Sequence, residues 1–131
     1  MRRTGLQHGR LSAIVAAMGH GDRLVIADPG LPVPAGVECV DLAVCAGVPG
    51  FMDVLRAVAA ELAIEGIVIA EELAAGNPAL AREIGGATGR GDGTIVPHEE
   101  FKRMTREATA IVRTGEFTPY ANVILVGGVA F

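Results

Sequence analysis

What most restricts the fold of this chain is a set of short apolar runs, each too brief for a helix and each flanked by breakers. Leu24-Val25-Ile26-Ala27 is followed at once by Asp28-Pro29-Gly30-Leu31-Pro32-Val33-Pro34, which cannot continue it. Gly66 to Ala70, Thr94-Ile95-Val96 and Asn122 to Val126 have the same character, and Val37 to Val44 reads as a further strand. A continuous apolar run with no polar alternation marks a strand buried on both faces, as in a parallel sheet covered by helices.

The segments between these runs carry helical spacing. Leu11, Ile14, Val15 and Met18 follow i, i+3, i+4, i+7, and Gly19 supplies a stop. Pro49 suits the first turn of a helix whose stripe is Phe51, Leu55, Val58 and Leu62. Asn77-Pro78 is an N-cap followed by proline at the first helical position, predicting a short helix to about Ile84 and then a Gly-rich loop from Gly85 to Gly93. After Pro97-His98, the residues Phe101, Met104, Ala108 and Ile111 predict one helix that Gly115 ends. Strands alternating with helices give an α/β class: a three-layer α/β/α sandwich with a largely parallel sheet, a mixed sheet being the alternative. Its central strands should bury Val25, Ile26, Ile67, Val68, Ile69, Ile124 and Leu125.

At 131 residues, half of them apolar, the chain is expected to form one domain over residues 1–131. The formal charge of −4 is interspersed and no run of Lys or Arg exceeds a pair, so the footprint of a nucleic-acid binder is missing. No apolar stretch approaches the ~18 residues of a spanning helix, and Met1-Arg2-Arg3 leads into polar Gln7 and His8. The expectation is a cytoplasmic protein without a membrane partner. Cys39 and Cys45 match neither a redox pair nor zinc spacing, and on one strand they would be buried thiols on a common face.

Ligands of open α/β sheets gather outside the carboxyl ends of the strands. Asp28 and His98 hold such positions, whereas His20 precedes the first strand and reaches the same crevice only through its loop or from a neighbouring subunit. His8 reads as a surface residue, and the three histidines form no local metal motif. Gly89-Arg90-Gly91-Asp92-Gly93 lacks the order of a phosphate loop and reads as a surface loop. Glu71 and Glu72, at a strand's end, point to opposite faces and are read as capping or supporting residues.

Several segments together resemble the D-ribose pyranase and L-fucose mutarotase family. They are Met18-Gly19-His20-Gly21-Asp22, Ala27-Asp28-Pro29-Gly30-Leu31-Pro32-Val33-Pro34, Gly47-Val48-Pro49-Gly50-Phe51-Met52, Ala70-Glu71-Glu72 with Asn77-Pro78, and Thr114-Gly115-Glu116 through Pro119-Tyr120-Ala121-Asn122. The later segments look like the ribose branch. The resemblance implies an isomerase that interconverts the pyranose and furanose forms of free D-ribose. It implies that His20 is the catalytic acid, that Asp28, His98, Tyr120 and Asn122 bind the sugar, and that Ala121 contributes backbone. It also implies a homo-oligomer, commonly a decamer built from pentamers, with the pocket near a subunit boundary. An L-fucose anomer mutarotase and a non-catalytic sugar-binding or scaffold protein are the alternatives.

The chemistry needs no cofactor and no metal, because ring opening only moves protons: one leaves the anomeric hydroxyl and another reaches the ring oxygen. A histidine, titrating near about 6.5 when unperturbed, suits that task at neutral pH.

Overall fold

The computed structural model describes residues 1–131. Its elements run α1 (Gly9–Ala17), β1 (Arg23–Ala27), β2 (Glu38–Asp41), α2 (Phe51–Ala59), β3 (Ile64–Ala70), α3 (Glu71–Gly76), α4 (Pro78–Thr88), β4 (Thr94–Val96), α5 (His98–Met104), β5 (Ala110–Arg113) and β6 (Val123–Gly127). The six strands form one sheet in the order β2-β5-β1-β6-β3-β4. Strand β6 is antiparallel to both neighbours, β1 and β3, while the pairs β1–β5, β2–β5 and β3–β4 are parallel. The sheet is therefore mixed but largely parallel.

Period-two alternation divides the core into two layers. Leu24, Ile26, Ile67, Ile69, Ala110, Val112, Val123 and Leu125 face α1 to α4, where they meet Leu11, Ile14, Phe51, Leu55, Val58, Leu73 and Ile84. Their neighbours Val25, Ala27, Val68, Ile111 and Ile124 face the other side and pack on Phe101 of α5 and on Leu31. All seven residues expected in central strands are buried. No helix is long and apolar enough to cross a membrane.

The largest departure from the sequence reading is the segment 98–113. A single helix was expected there through Ile111; instead α5 stops at Met104, a 3₁₀ turn covers Thr105–Glu107, and Ala110–Arg113 is a strand between β1 and β2. The apolar spacing fits a helix, but β5 gains parallel ladders on both edges, and the β-branched pair Ile111-Val112 suits a doubly buried strand. Gly115 therefore follows a strand and ends no helix.

Smaller corrections have local causes. Helix α4 continues through Gly85 and Gly86 to Thr88, because Gly89 takes the left-handed cap conformation (φ 68°) only there. Strand β2 spans Glu38–Asp41, not Val37 to Val44, since the chain then turns into a tight Cys45–Val48 bridge. Helix α2 starts at Phe51 with Gly50 as its cap, so Pro49 lies outside its first turn, and Leu62 lies beyond its end. Cys45 is exposed and Cys39 half-buried, so they are not the pair of buried thiols on one strand face that was expected. His8 does more than sit at the surface: its ring nitrogen accepts from Leu11 N at 3.1 Å and caps α1. Glu71 and Glu72 open α3 instead of ending β3.

Candidate active site

The carboxyl ends of β1 and β4 and the segment entering β6 meet around a cavity of about 280 Å³ lined by Asp28, Gly30, Leu31, His98, Pro119 and Tyr120. Asp28 is the first residue past β1, and its carboxylate is held from two directions. Oδ1 accepts from the backbone N–H of Gly30 (2.9 Å) and Leu31 (3.0 Å), which the Pro29-Gly30 turn folds back onto it. Oδ2 accepts from Asn122 Nδ2 at 3.2 Å, and Asn122 Oδ1 in turn accepts from Asp28 N at 2.9 Å. Asn122 is 1% exposed, so its carboxamide acts as a buried clamp on Asp28.

His98 opens α5, and its backbone N–H donates to both oxygens of Glu72, each at 3.1 Å. Glu72 thus supplies an acceptor that Pro97 in the cap position cannot provide through a side chain. The ring lies between Phe101, stacked at 6.3 Å, and Tyr120, edge-on at 5.1 Å. Its Nδ1 is the one buried side-chain polar atom without a hydrogen-bond partner. Such an orphan is costly in a folded protein, and where it borders a cavity it marks a place for a ligand's donor or acceptor.

Tyr120 is the only non-glycine residue with positive φ, at 61°. An L-residue is strained there, and the surrounding turn holds it: Ala121 N donates to Thr118 O, and Asn122 N donates to Tyr120 O at 2.8 Å. The turn brings the Tyr120 ring over His98 while Ala121, fully buried, anchors the segment in the core. Beside the cavity, Glu116 ties this segment to α2 by accepting from Phe51 N at 3.0 Å. That bond, with further ones from Thr118, holds its carboxyl below the ordinary carboxylate range.

The structure therefore brings together Asp28, His98, Tyr120, Ala121 and Asn122, and leaves out His20. His20 lies before β1, beside Gly127 and Glu65, at the amino end of the strand whose carboxyl end bears Asp28. A five-residue strand separates the two by roughly 16 Å at ~3.3 Å per residue. Two residues that bear on the site were not singled out for these roles from sequence: Glu72 as the partner of His98, and Pro119 in the cavity wall. The Glu72 role was partly legible, since a capping function was expected of it.

A mixed six-stranded sheet of this order, with a small cleft at the carboxyl ends of its strands, defines a compact single-sheet α/β class. The chain belongs to the RbsD / FucU transport protein family, whose model matches residues 1–130. A protein of Symbiobacterium thermophilum named D-ribose pyranase is 50% identical over 131 residues, with both chains covered in full. One of Bacillus cytotoxicus with the same name is 47% identical over the full length of both. Among solved structures, Bacillus subtilis RbsD complexed with D-ribose superposes with a TM-score of 0.94 at 44% identity, covering all of both chains. FucU from Bifidobacterium longum gives a TM-score of 0.75 at 26% identity, over 93% of this chain and 95% of that one.

Proposed function

We propose that this protein is a D-ribose pyranase that opens and recloses the ring of free D-ribose, interconverting pyranose and furanose forms. One observation carries the reading: His98, whose buried Nδ1 has no hydrogen-bond partner, and Asp28, whose carboxylate is clamped by Asn122, line the same cavity. A polyol supplies hydroxyls that donate to Asp28 and either donate to or accept from the imidazole, while the Tyr120 ring offers an apolar edge to the sugar's C–H face. Full-length identity of 44% to a protein complexed with D-ribose, against 26% to FucU, favours ribose over L-fucose.

The reaction has four bookkeeping steps. The anomeric O–H loses its proton to water, the C1–ring-oxygen bond breaks, its electron pair goes to the ring oxygen, and that oxygen takes up a proton as the aldehyde forms. Closure by a different hydroxyl reverses them. His20 is the acid that protonates the ring oxygen; Asp28 and His98 hold the hydroxyls. Positioned acid–base groups of this kind contribute ~10²–10⁴-fold.

Because His20 and Asp28 lie at opposite ends of β1, the complete site needs two copies: the His20 end of one subunit approaches the Asp28 end of the next. Such a head-to-tail contact is heterologous and closes into a ring when the rotation permits, in keeping with the decamer of pentamers that the family resemblance implies. Val44 and Phe117, 78% and 73% exposed, are apolar surface that such a contact would cover. A cytoplasmic setting suits the two free thiols, Cys39 and Cys45.

Saturation-transfer NMR across D-ribose, L-fucose and other free monosaccharides tests the reading. Exchange between ribose ring forms faster than in buffer is expected, with weaker effects on the other sugars. Acceleration confined to L-fucose anomers would move the protein to the other branch, and ribose binding without acceleration would make it a carrier.

A further inference from the structure

The loop that bears His20 is stitched down with unusual completeness for an exposed turn. Gly19 N donates to Asp22 Oδ2 at 2.8 Å and Asp22 N to Gly19 O at 3.2 Å, closing the turn on itself, with Gly21 in the left-handed region (φ 85°). Gly21 N donates to Gly127 O and Gly127 N to Asp22 O, each at 2.8 Å, tying it to the end of β6. From β3, Glu65 Oε2 then lies 2.8 Å from His20 Nε2.

Glu65 is placed there by an irregularity in the sheet. Opposite β6 the register shifts between Ile64, paired with Gly127, and Gly66, paired with Val126, so Glu65 is the extra residue of a β-bulge. Bulges re-aim a side chain out of the alternating pattern and recur beside active sites. Gly128 makes room for it: a Cβ there would lie 3.0 Å from Glu65 Cβ and 3.5 Å from its Oε2. Yet the His20 and Glu65 side chains are 65% and 42% exposed, and an ion pair so exposed contributes little to stability. A bulge and a glycine devoted to a pair of small energetic worth point to orientation as its purpose.

We infer that Glu65 is the positioning residue of His20: it binds the Nε2–H and so presents Nδ1 to the substrate. The inference rests on the reading of His20 as the group that moves the proton. An ionised carboxylate only accepts, so a neutral His20 bonded to it carries its hydrogen on Nε2 and leaves Nδ1 bare. In the opening step the imidazolium gives its Nδ1 proton to the ring oxygen as the C1–oxygen bond breaks and the anomeric hydroxyl releases its proton to water, and the neutral Nε2–H form remains on Glu65. Reprotonation at Nδ1 restores it. The charged groups at the ring are Glu65 from β3 and, in its own loop, Asp22, which is engaged by Gly19 N.

Long-range ¹H–¹⁵N spectra of labelled protein, taken at a pH where the ring is neutral, read which nitrogen of His20 bears hydrogen. The wild type is expected almost wholly as the Nε2–H form, Glu65→Ala to lose that preference, and Glu65→Gln, whose amide both donates and accepts, to fall between. In ribose exchange Glu65→Ala should lower kcat by roughly 10–100-fold with KM changed less than about twofold, as expected when a reacting group is misplaced. Glu65→Gln guards against misfolding of the alanine variant, and either variant suffices for the test. A Nε2–H preference or a wild-type kcat in both variants, beside an inactive His20→Ala, overturns the inference while sparing the site. A fully active His20→Ala overturns both.

Discussion

Replacing Asn122 with Ala removes both bonds that hold Asp28 to β6, and the structure gives the size of the effect. The Asp28 N–H loses its acceptor at 2.9 Å, and an orphaned donor in a partly buried place costs about 1–3 kcal/mol. The Nδ2–H to Asp28 Oδ2 bond, at 3.2 Å and beside an open cavity, adds about 1 kcal/mol because water replaces part of it. The sum is about 3 kcal/mol. With an unfolding entropy of about 2.1 cal/mol/K per residue over 131 residues, Tm should fall by on the order of 10 °C at matched protein concentration. Asp28 is then held through Oδ1 alone, by Gly30 N and Leu31 N, and its Oδ2 is no longer fixed, so KM for ribose should rise roughly 10-fold, about 1.4 kcal/mol. Asn122→Asp keeps the acceptor for Asp28 N but sets a carboxylate against Oδ2. It should be worse than Ala at neutral pH and recover as acid lets the pair share a proton. Calorimetry and NMR exchange kinetics read these quantities. An Asn122→Ala variant with Tm within about 2 °C of wild type and an unchanged KM would refute the clamp.

Three further outcomes are expected. The Glu116 carboxyl is held low chiefly by Phe51 N–H, then by Thr118, so its contribution to stability is present above its unfolded value of about 4.5 and is lost as pH falls through the lower folded value. The Tm gap between wild type and Glu116→Gln should therefore be steady at neutral pH and close in acid; a gap that widens in acid would contradict this. Ribose exchange should survive exhaustive chelation, since proton transfer supplies the whole reaction, and restoration of a lost rate by zinc would disprove it. Inactive His20→Ala and inactive Asp28→Ala proteins, unfolded and refolded together, should regain activity if the site spans two copies. No gain in mixed assemblies would place the complete site within one chain.

Most of the fold was legible where one segment carries one period. Leu24 to Ala27 and Thr94 to Val96 read as strands because breakers close them, and Asn77-Pro78 marked the start of α4, where Asn77 Oδ1 accepts from Leu80 N at 3.1 Å. The segment 98–113 misled because Phe101, Met104, Ala108 and Ile111 satisfy helical spacing across an unmarked break. Only the pairing of β5 with β1 and β2 reveals the strand. Asp28 and His98 were legible as residues at the carboxyl ends of strands. The clamp between Asp28 and Asn122 spans 94 positions and leaves no local trace, so the sequence offered only the expectation of a sugar contact for Asn122 and not its hold on Asp28. Glu65 did leave a trace: a lone charge beside Gly66 inside an apolar run is how a bulge looks in sequence.

The most direct test of the proton-transfer account is saturation-transfer NMR on D-ribose with wild type and His20→Ala at equal concentration. His20 belongs to no core cluster and its side chain is 65% exposed, so fold and assembly should survive its loss. The wild type should exchange pyranose with furanose well above the buffer rate, and His20→Ala should slow that exchange by roughly 10²-fold or more while ribose affinity changes far less. Exchange at the wild-type rate in His20→Ala would contradict the assignment and pass the acid's role to His98, which lines the cavity and has an unpartnered Nδ1.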